Sequence, residues 1–141
     1  MPSDRPLRKN ERALVEILTS VDSRYENLVI VVEGIRDERV LRKLGVKGRI
    51  IKTQAGRARP ELIDEIAEQA GKNGEVLVLT DFDQGGIELA KFITKDLEPH
   101  KVKVLVRLRR RIRNLMGNLR AIEELVALFG RKDSPEPLET D

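Results

Sequence analysis

Asp81 and Asp83 are two acids one residue apart, placed where the apolar run Val76–Thr80 ends and just before Gly85 and Gly86. In extended backbone, residues i and i+2 point to the same side. Both carboxylates therefore face one spot, and Phe82 turns away into packing. Two anions ~5 Å apart repel by roughly 3 kcal/mol at an effective dielectric near 20, a cost that a cation between them removes. All-oxygen donors suit Mg²⁺ or Mn²⁺. A second acid, Glu33, ends the apolar run Leu28–Val32 and precedes Gly34. In open α/β sheets ligands bind at the carboxyl ends of strands, where the strand order reverses. If the first and third strands are neighbours there, Glu33 meets Asp81 and Asp83 in one crevice. Gly34, Gly85 and Gly86 allow close backbone approach and offer amides to a phosphate. Three converging acids beside glycine turns suit a metal ion holding a phosphodiester.

Other readings of these residues compete. Acids commonly cap helices, so Asp81 and Asp83 also fit an ordinary strand-to-helix turn. A calcium-binding loop of the EF-hand kind begins with the same spacing, but its twelfth position requires Glu, and Phe92 stands there. A phosphatase of the haloacid-dehalogenase type would want the acid pair on the first strand with a Thr soon after, and neither holds. Glu33 also fits a salt bridge to Arg36, and Asp37 fits a simple complement to a helix dipole.

The elements that must position these acids follow from apolar spacing. Arg8–Val21 reads as a helix, with Leu14, Ile17, Leu18 and Val21 on one face. Leu28–Val32 is short and continuously apolar, as a strand buried on both faces is. Helices are expected over Ile35–Leu44, Pro60–Ala70 and Gly86–Leu97, and strands over Arg49–Thr53, Val76–Thr80 and Val102–Val106. The segment 54–59 reads as a polar loop. Strands alternating with helices of about ten residues mean a four-stranded parallel α/β sheet, Rossmann-like, with helices on both faces. After Arg107 the apolar residues Leu108, Ile112, Leu115, Leu119, Ile122, Val126 and Phe129 recur at steps of four and three. That stripe fits a C-terminal helix or hairpin laid on the sheet, split at Gly117-Asn118, or the interface of a homodimer.

The chain has 141 residues, enough for one domain with a real core. Charged residues make up 36% and there is no Cys, which excludes disulfides, a thiol nucleophile and a Cys-based zinc site. The polar start and the lack of a long apolar run point to a cytoplasmic protein with no membrane partner. Net charge is only +3, yet from Lys101 to Arg120 there are eight Lys/Arg and no acid. Arg109, Arg110, Arg111 and Arg113 lie in that run, which is either a solvated helix face or an electrostatic footprint for RNA or DNA. Almost no aromatic is interleaved, so contacts would fall on the nucleic-acid backbone rather than on stacked bases. Asp133–Asp141 reads as a disordered acidic tail. His100 reads as a surface residue without a role.

Taken together, Glu33-Gly34 after a strand, Asp37 four residues on, and a later strand ending in Asp81-Phe82-Asp83-Gln84-Gly85-Gly86 resemble the Toprim domain. That domain is shared by topoisomerases, bacterial-type primases, recombination-repair proteins and small nucleases. The resemblance covers roughly residues 26–107. It leaves 1–25 as an N-terminal helical segment, 108–130 as a C-terminal helical extension and 131–141 as the tail. It implies Glu33 as general acid or base, and Asp81 and Asp83 as Mg²⁺ ligands with Glu33 sharing a metal. Asp37 becomes an accessory acid. Many relatives carry Lys two residues after the Glu, where this chain has Ile35. Arg36, Arg57 and Arg59 are then the candidates for phosphate contact near that turn. The one tyrosine, Tyr25, precedes the first strand, so a topoisomerase nucleophile is missing; zinc modules need Cys, and no P-loop is present. The expectation is a Mg²⁺-dependent nuclease-like activity on structured RNA or DNA. The alternatives are a metal-binding nucleic-acid module without efficient catalysis, or a small-molecule phosphatase.

Overall fold

The computed structural model describes residues 7–129. Four strands form one parallel sheet: β1 (Leu28–Val32), β2 (Arg49–Lys52), β3 (Glu75–Val78) and β4 (Lys103–Val104), in the order β2-β1-β3-β4. Ile30 is paired with Ile50 on one side and with Leu77 on the other. The chain leaves β1 for β2, then returns past β1 to lay down β3. The order therefore reverses between β1 and β3, and their carboxyl ends bound the crevice.

Five α-helices cover the sheet: α1 (Lys9–Arg24), α2 (Ile35–Lys43), α3 (Arg59–Ala70), α4 (Gln84–Leu97) and α5 (Val106–Met116). Short 3-10 segments follow at Glu98–His100 and Ile122–Leu128. The period-two alternation of β1 sorts the core. Ile30 and Val32 pack with Leu18, Leu41, Ile112 and Ile122 on the face covered by α1, α2 and α5. Val29 and Val31 pack with Ile66 and Ile93 on the face covered by α3 and α4. All five β1 residues are buried, so a one-residue slip would exchange the two faces. The N- and C-terminal segments share one core: Leu14 and Leu18 of α1 meet Ile112 and Met116 of α5. Truncating the fully buried Leu18 to Ala would cost about 2–5 kcal/mol.

Local chemistry sets the helix ends. Pro60 sits in the first turn of α3, where its missing N–H is no loss, and Gly71 closes that helix at a φ of 74°. Two expectations need correction. β4 was expected to run through Val106, but the chain turns at Leu105, and Val106 opens α5. Leu105 still donates to the Val76 carbonyl at 2.8 Å, so the pairing ends because β4 is an edge strand with nothing beyond it. The C-terminal stripe is not one heptad helix. Gly117 adopts a φ of 61°, ends α5, and redirects the chain into the second 3-10 segment. Ile112 and Ile122 are buried in the chain's own core, with Leu108, Leu115, Leu119 and Phe129 packed against it; Val126 faces outward. The expected tail 131–141 lies outside the described residues.

Candidate functional site

Glu33 leaves the end of β1 with its backbone pinned, its carbonyl accepting the Gln54 amide at 2.9 Å on the β2 side. On the β3 side its carboxylate Oε2 accepts the backbone N–H of Asp81 at 2.9 Å. Residues 48 positions apart are thus brought into direct contact at the reversal between β1 and β3. Beyond β3, Leu79 continues the pairing by donating to Val31 at 2.7 Å. Thr80, fully buried, donates from Oγ1 to the Gly86 carbonyl at 2.8 Å. Asp83 is the N-cap of α4, and its Oδ1 accepts the Gly86 amide at 2.8 Å. Gly86 cannot be larger: a Cβ there would lie 2.0 Å from the Asp81 carbonyl oxygen.

Asp81 itself is half-buried, and among the described residues its carboxylate accepts no hydrogen bond. Its pKa is pushed up to about 7, first by burial, then by the negative charges of Glu33, Asp37, Asp83 and Glu123. The site therefore carries excess negative charge centred on Asp81.

Arg109 supports this corner from behind. Its Nη1 donates to the carbonyls of Val78 at 2.9 Å and Thr80 at 3.0 Å, and its Nη2 donates to that of Asp81 at 3.2 Å. The guanidinium lies 4.5 Å over the Phe82 ring. Burial, then the neighbouring charge of Arg113, pulls its pKa down to about 10. The C-terminal segment closes the other flank. Phe82 donates its amide to the Arg120 carbonyl at 2.6 Å. Asp37, almost fully buried, accepts the Gly34 amide at 3.1 Å and the Glu123 amide at 2.9 Å.

The sequence-derived candidates thus separate. Glu33, Asp81 and Asp83 gather at the carboxyl ends of β1 and β3. Asp37 is a clasp whose two oxygens both accept backbone amides. Of the three glycines expected to offer amides, Gly34 and Gly86 donate theirs to Asp37 and Asp83, while Gly85 is exposed in the first turn of α4, where amides lack intrahelical partners. The basic run points several ways because a helix turns about 100° per residue. Arg109 faces inward, Arg110 and Arg113 line a groove against α4, and Arg111 lines one against α1. Arg57 is bound to the Lys52 carbonyl and paired with Glu65 at 2.9 Å. Arg59 lies 4.6 Å over the Phe92 ring, and Arg36 is exposed on α2. Glu123 escaped the sequence reading, since only the turn at Gly117 carries it to Asp81.

Among the described residues, no group of three or more acids or histidines is arranged to hold a metal ion. Glu33 and Asp83 each give one oxygen to a backbone amide, so three carboxylates do not converge on one point. The chemistry of the donors still fits a hard divalent cation. All are carboxylate oxygens, the charge excess is real, and Mg²⁺ is commonly held by one or two carboxylates with water and substrate phosphate completing its shell. Asp81, with the free oxygens of Glu33 and Asp83, is such a partial set. No described helix is long and apolar enough to cross a membrane.

No protein-family model matches the chain. It is 39% identical over 124 residues to a UPF0292 protein of Thermococcus sibiricus, covering 87% of this chain and 93% of that one. A UPF0292 protein of Methanocaldococcus jannaschii is 33% identical over 129 residues, covering 89% and 98%. A solved structure described as a putative protein from Aquifex aeolicus superposes with a TM-score of 0.62 at 25% identity, over 83% of this chain and 99% of that one. With this identity sustained over nearly the full length of such relatives, the chain belongs to the UPF0292 family.

Proposed function

We propose that this protein carries a Toprim-type site and processes nucleic-acid phosphodiesters with the help of Mg²⁺ or Mn²⁺. The observation that carries the reading is the 2.9 Å bond from the Asp81 amide to the Glu33 carboxylate. It sets a proton-transfer group beside the acid with the greatest need of a cation. Asp81, with Asp83 beside it, would hold the ion, which when bound supplies charge to a phosphoryl oxygen and to the leaving oxygen. Glu33 keeps Oε1 free to take the proton of an attacking water while Oε2 stays anchored to the Asp81 amide. Asp83 fixes the start of α4, so the exposed Gly85 amide and the positive end of the helix dipole face the substrate phosphate. Arg109 and Gly86 act through Asp81: they fix the carbonyls and the turn that aim it.

The test is cleavage. The protein is incubated with cellular RNA, single-stranded DNA and duplex DNA, with Mn²⁺ or with EDTA, beside Glu33→Gln and Asp81→Asn. Metal-dependent cutting by the wild type, lost in both variants while the fold is retained, supports the reading. Equal cutting by the variants removes it. A second reading, a binding module without efficient chemistry, is favoured by one observation: Gly34, Gly86, Arg57 and Arg109 all spend their donors inside the chain. Under that reading the wild type retards labelled RNA at low salt and never cuts it.

A further inference from the structure

Helix α4 leaves the acid cluster at Asp83 and runs along a groove whose other wall is α5. Near Asp83 the groove is an open depression of about 1010 Å³ reaching Arg113, Asn118 and Arg120. Further on it becomes a narrower cavity of about 360 Å³. The two parts share Ile87 and Arg113 and are one continuous channel. The floor of the narrow part is aliphatic, made by Val78, Ile87, Ala90, Leu105 and the exposed Val106. Its rims are cationic: Lys91 and Lys95 on α4, Arg110 and Arg113 on α5. The spacings i, i+4 and i, i+3 stack each pair along one helix face.

These four cations differ from the others of the chain. Arg42, Lys52, Arg57 and Lys103 each pair with a carboxylate. Lys91, Lys95, Arg110 and Arg113 pair with none among the described residues, and Glu98 is the single acid lining the narrow cavity. Arg113 also lies close enough to Arg109 to disfavour its charge. Two rows of uncompensated cations across an apolar floor match one kind of anion: phosphates spaced along a chain whose intervening groups have apolar faces.

We propose that the α4–α5 groove seats an unpaired segment of nucleic acid, its phosphates on Lys91, Lys95, Arg110 and Arg113 and a base on the aliphatic floor, leading the strand to Asp83. The direction toward Asp83 rests on the function proposed above; the binding itself does not. A duplex keeps its base faces stacked inside and has nothing to place on the floor. An acidic peptide would match the rims, but it would also deliver carboxylates to an end of the groove that is already overcharged with acids. Without aromatic side chains on the floor, affinity comes mainly from the phosphates and falls steeply with salt.

The experiment measures fluorescence anisotropy of a labelled single-stranded 12-mer, the matching blunt duplex and a labelled oligoglutamate peptide. It is done in EDTA, so that the acid cluster contributes no metal-mediated binding. Lys91→Glu/Lys95→Glu and Arg110→Ala/Arg113→Ala are compared with a charge reversal on the opposite face of the sheet, Lys43→Glu/Lys47→Glu. All these side chains are exposed, so circular dichroism and melting should match the wild type. The expected result is preference for the single strand, a loss of tenfold or more in both groove variants, and a salt dependence shallower by about 1.4. The control variant should bind as the wild type does. Unchanged binding in the groove variants, equal loss in the control, a duplex bound as well as the single strand, or groove-dependent binding of the peptide alone overturns the proposal. Because cleavage is not read here, failure of the catalytic reading would appear separately, as groove-dependent binding by a protein that never cuts.

Discussion

Replacing Asp81 by Asn should stabilise the protein above neutral pH. In the unfolded chain this carboxyl titrates near 3.8, and in the folded chain near 7. Between those values the folded state holds a proton that the unfolded state has lost, so stability falls as pH rises from about 4 to about 7 and is level above that. At about 1.4 kcal/mol per pH unit the gap sets a ceiling of about 4 kcal/mol. Asp81 is half-exposed, and solvent screening reduces the expected cost to about 1–2 kcal/mol. Asn has nearly the same shape, and the Asp81 carboxylate accepts no hydrogen bond that the change would break. At pH 8 without divalent metal, Asp81→Asn should therefore melt about 4–8 °C above the wild type. The difference should shrink to nothing near pH 4, where both side chains are neutral. Melting followed by circular dichroism from pH 4 to 8 in EDTA reads this directly. A variant that is less stable than the wild type at pH 8, or an advantage that persists at pH 4, would show that like-charge crowding at Asp81 is not the cause.

Gly86→Ala should lower stability by at least about 2 kcal/mol in denaturant titration, because its Cβ meets the Asp81 carbonyl at 2.0 Å. Gly85→Ala, whose nearest neighbour would be 3.8 Å away, should change stability by less than about 1 kcal/mol. Asp37→Ala leaves the Gly34 and Glu123 amides without their acceptor and should cost about 2–3 kcal/mol, with faster amide exchange at Glu123 as the local readout. Arg109→Lys keeps the charge but cannot reach three carbonyls with a planar fork; unfolding free energies should drop by about 2 kcal/mol, and an unchanged value would dismiss its bracing role.

Much of the architecture was legible because the signals are local. Leu28–Val32 is apolar at every position, as a strand buried on both faces must be, and the structure buries all five. Asp83 and the glycines after it carry the chemistry of a helix start, and α4 begins there. The reversal of strand order needed only the general behaviour of parallel sheets, and it brought Glu33 to Asp81. What the sequence hid depends on contacts distant along the chain. Asp37 and Glu123 are 86 residues apart, and nothing in either segment announces the other. The run around Arg109 reads as a uniform basic face, yet Arg109 turns inward because the β3 carbonyls lie beside α5. The stripe after Arg107 reads as a heptad because periodicity cannot register that Gly117 adopts a positive φ. The converging triad expected from three acids became a pair of anchored carboxylates around Asp81, since backbone amides claimed one oxygen each from Glu33 and Asp83.

The claim on which the rest depends is that the acids at the ends of β1 and β3 form a divalent-cation site centred on Asp81. Electron paramagnetic resonance of Mn²⁺ titrated into the wild type, Glu33→Gln and Asp81→Asn at pH 8 measures it without reference to any substrate. The account expects one bound Mn²⁺ per wild-type chain, with affinity about tenfold lower for Glu33→Gln and no measurable site in Asp81→Asn. Equal Mn²⁺ binding by all three proteins, or none by the wild type at millimolar metal, would contradict it.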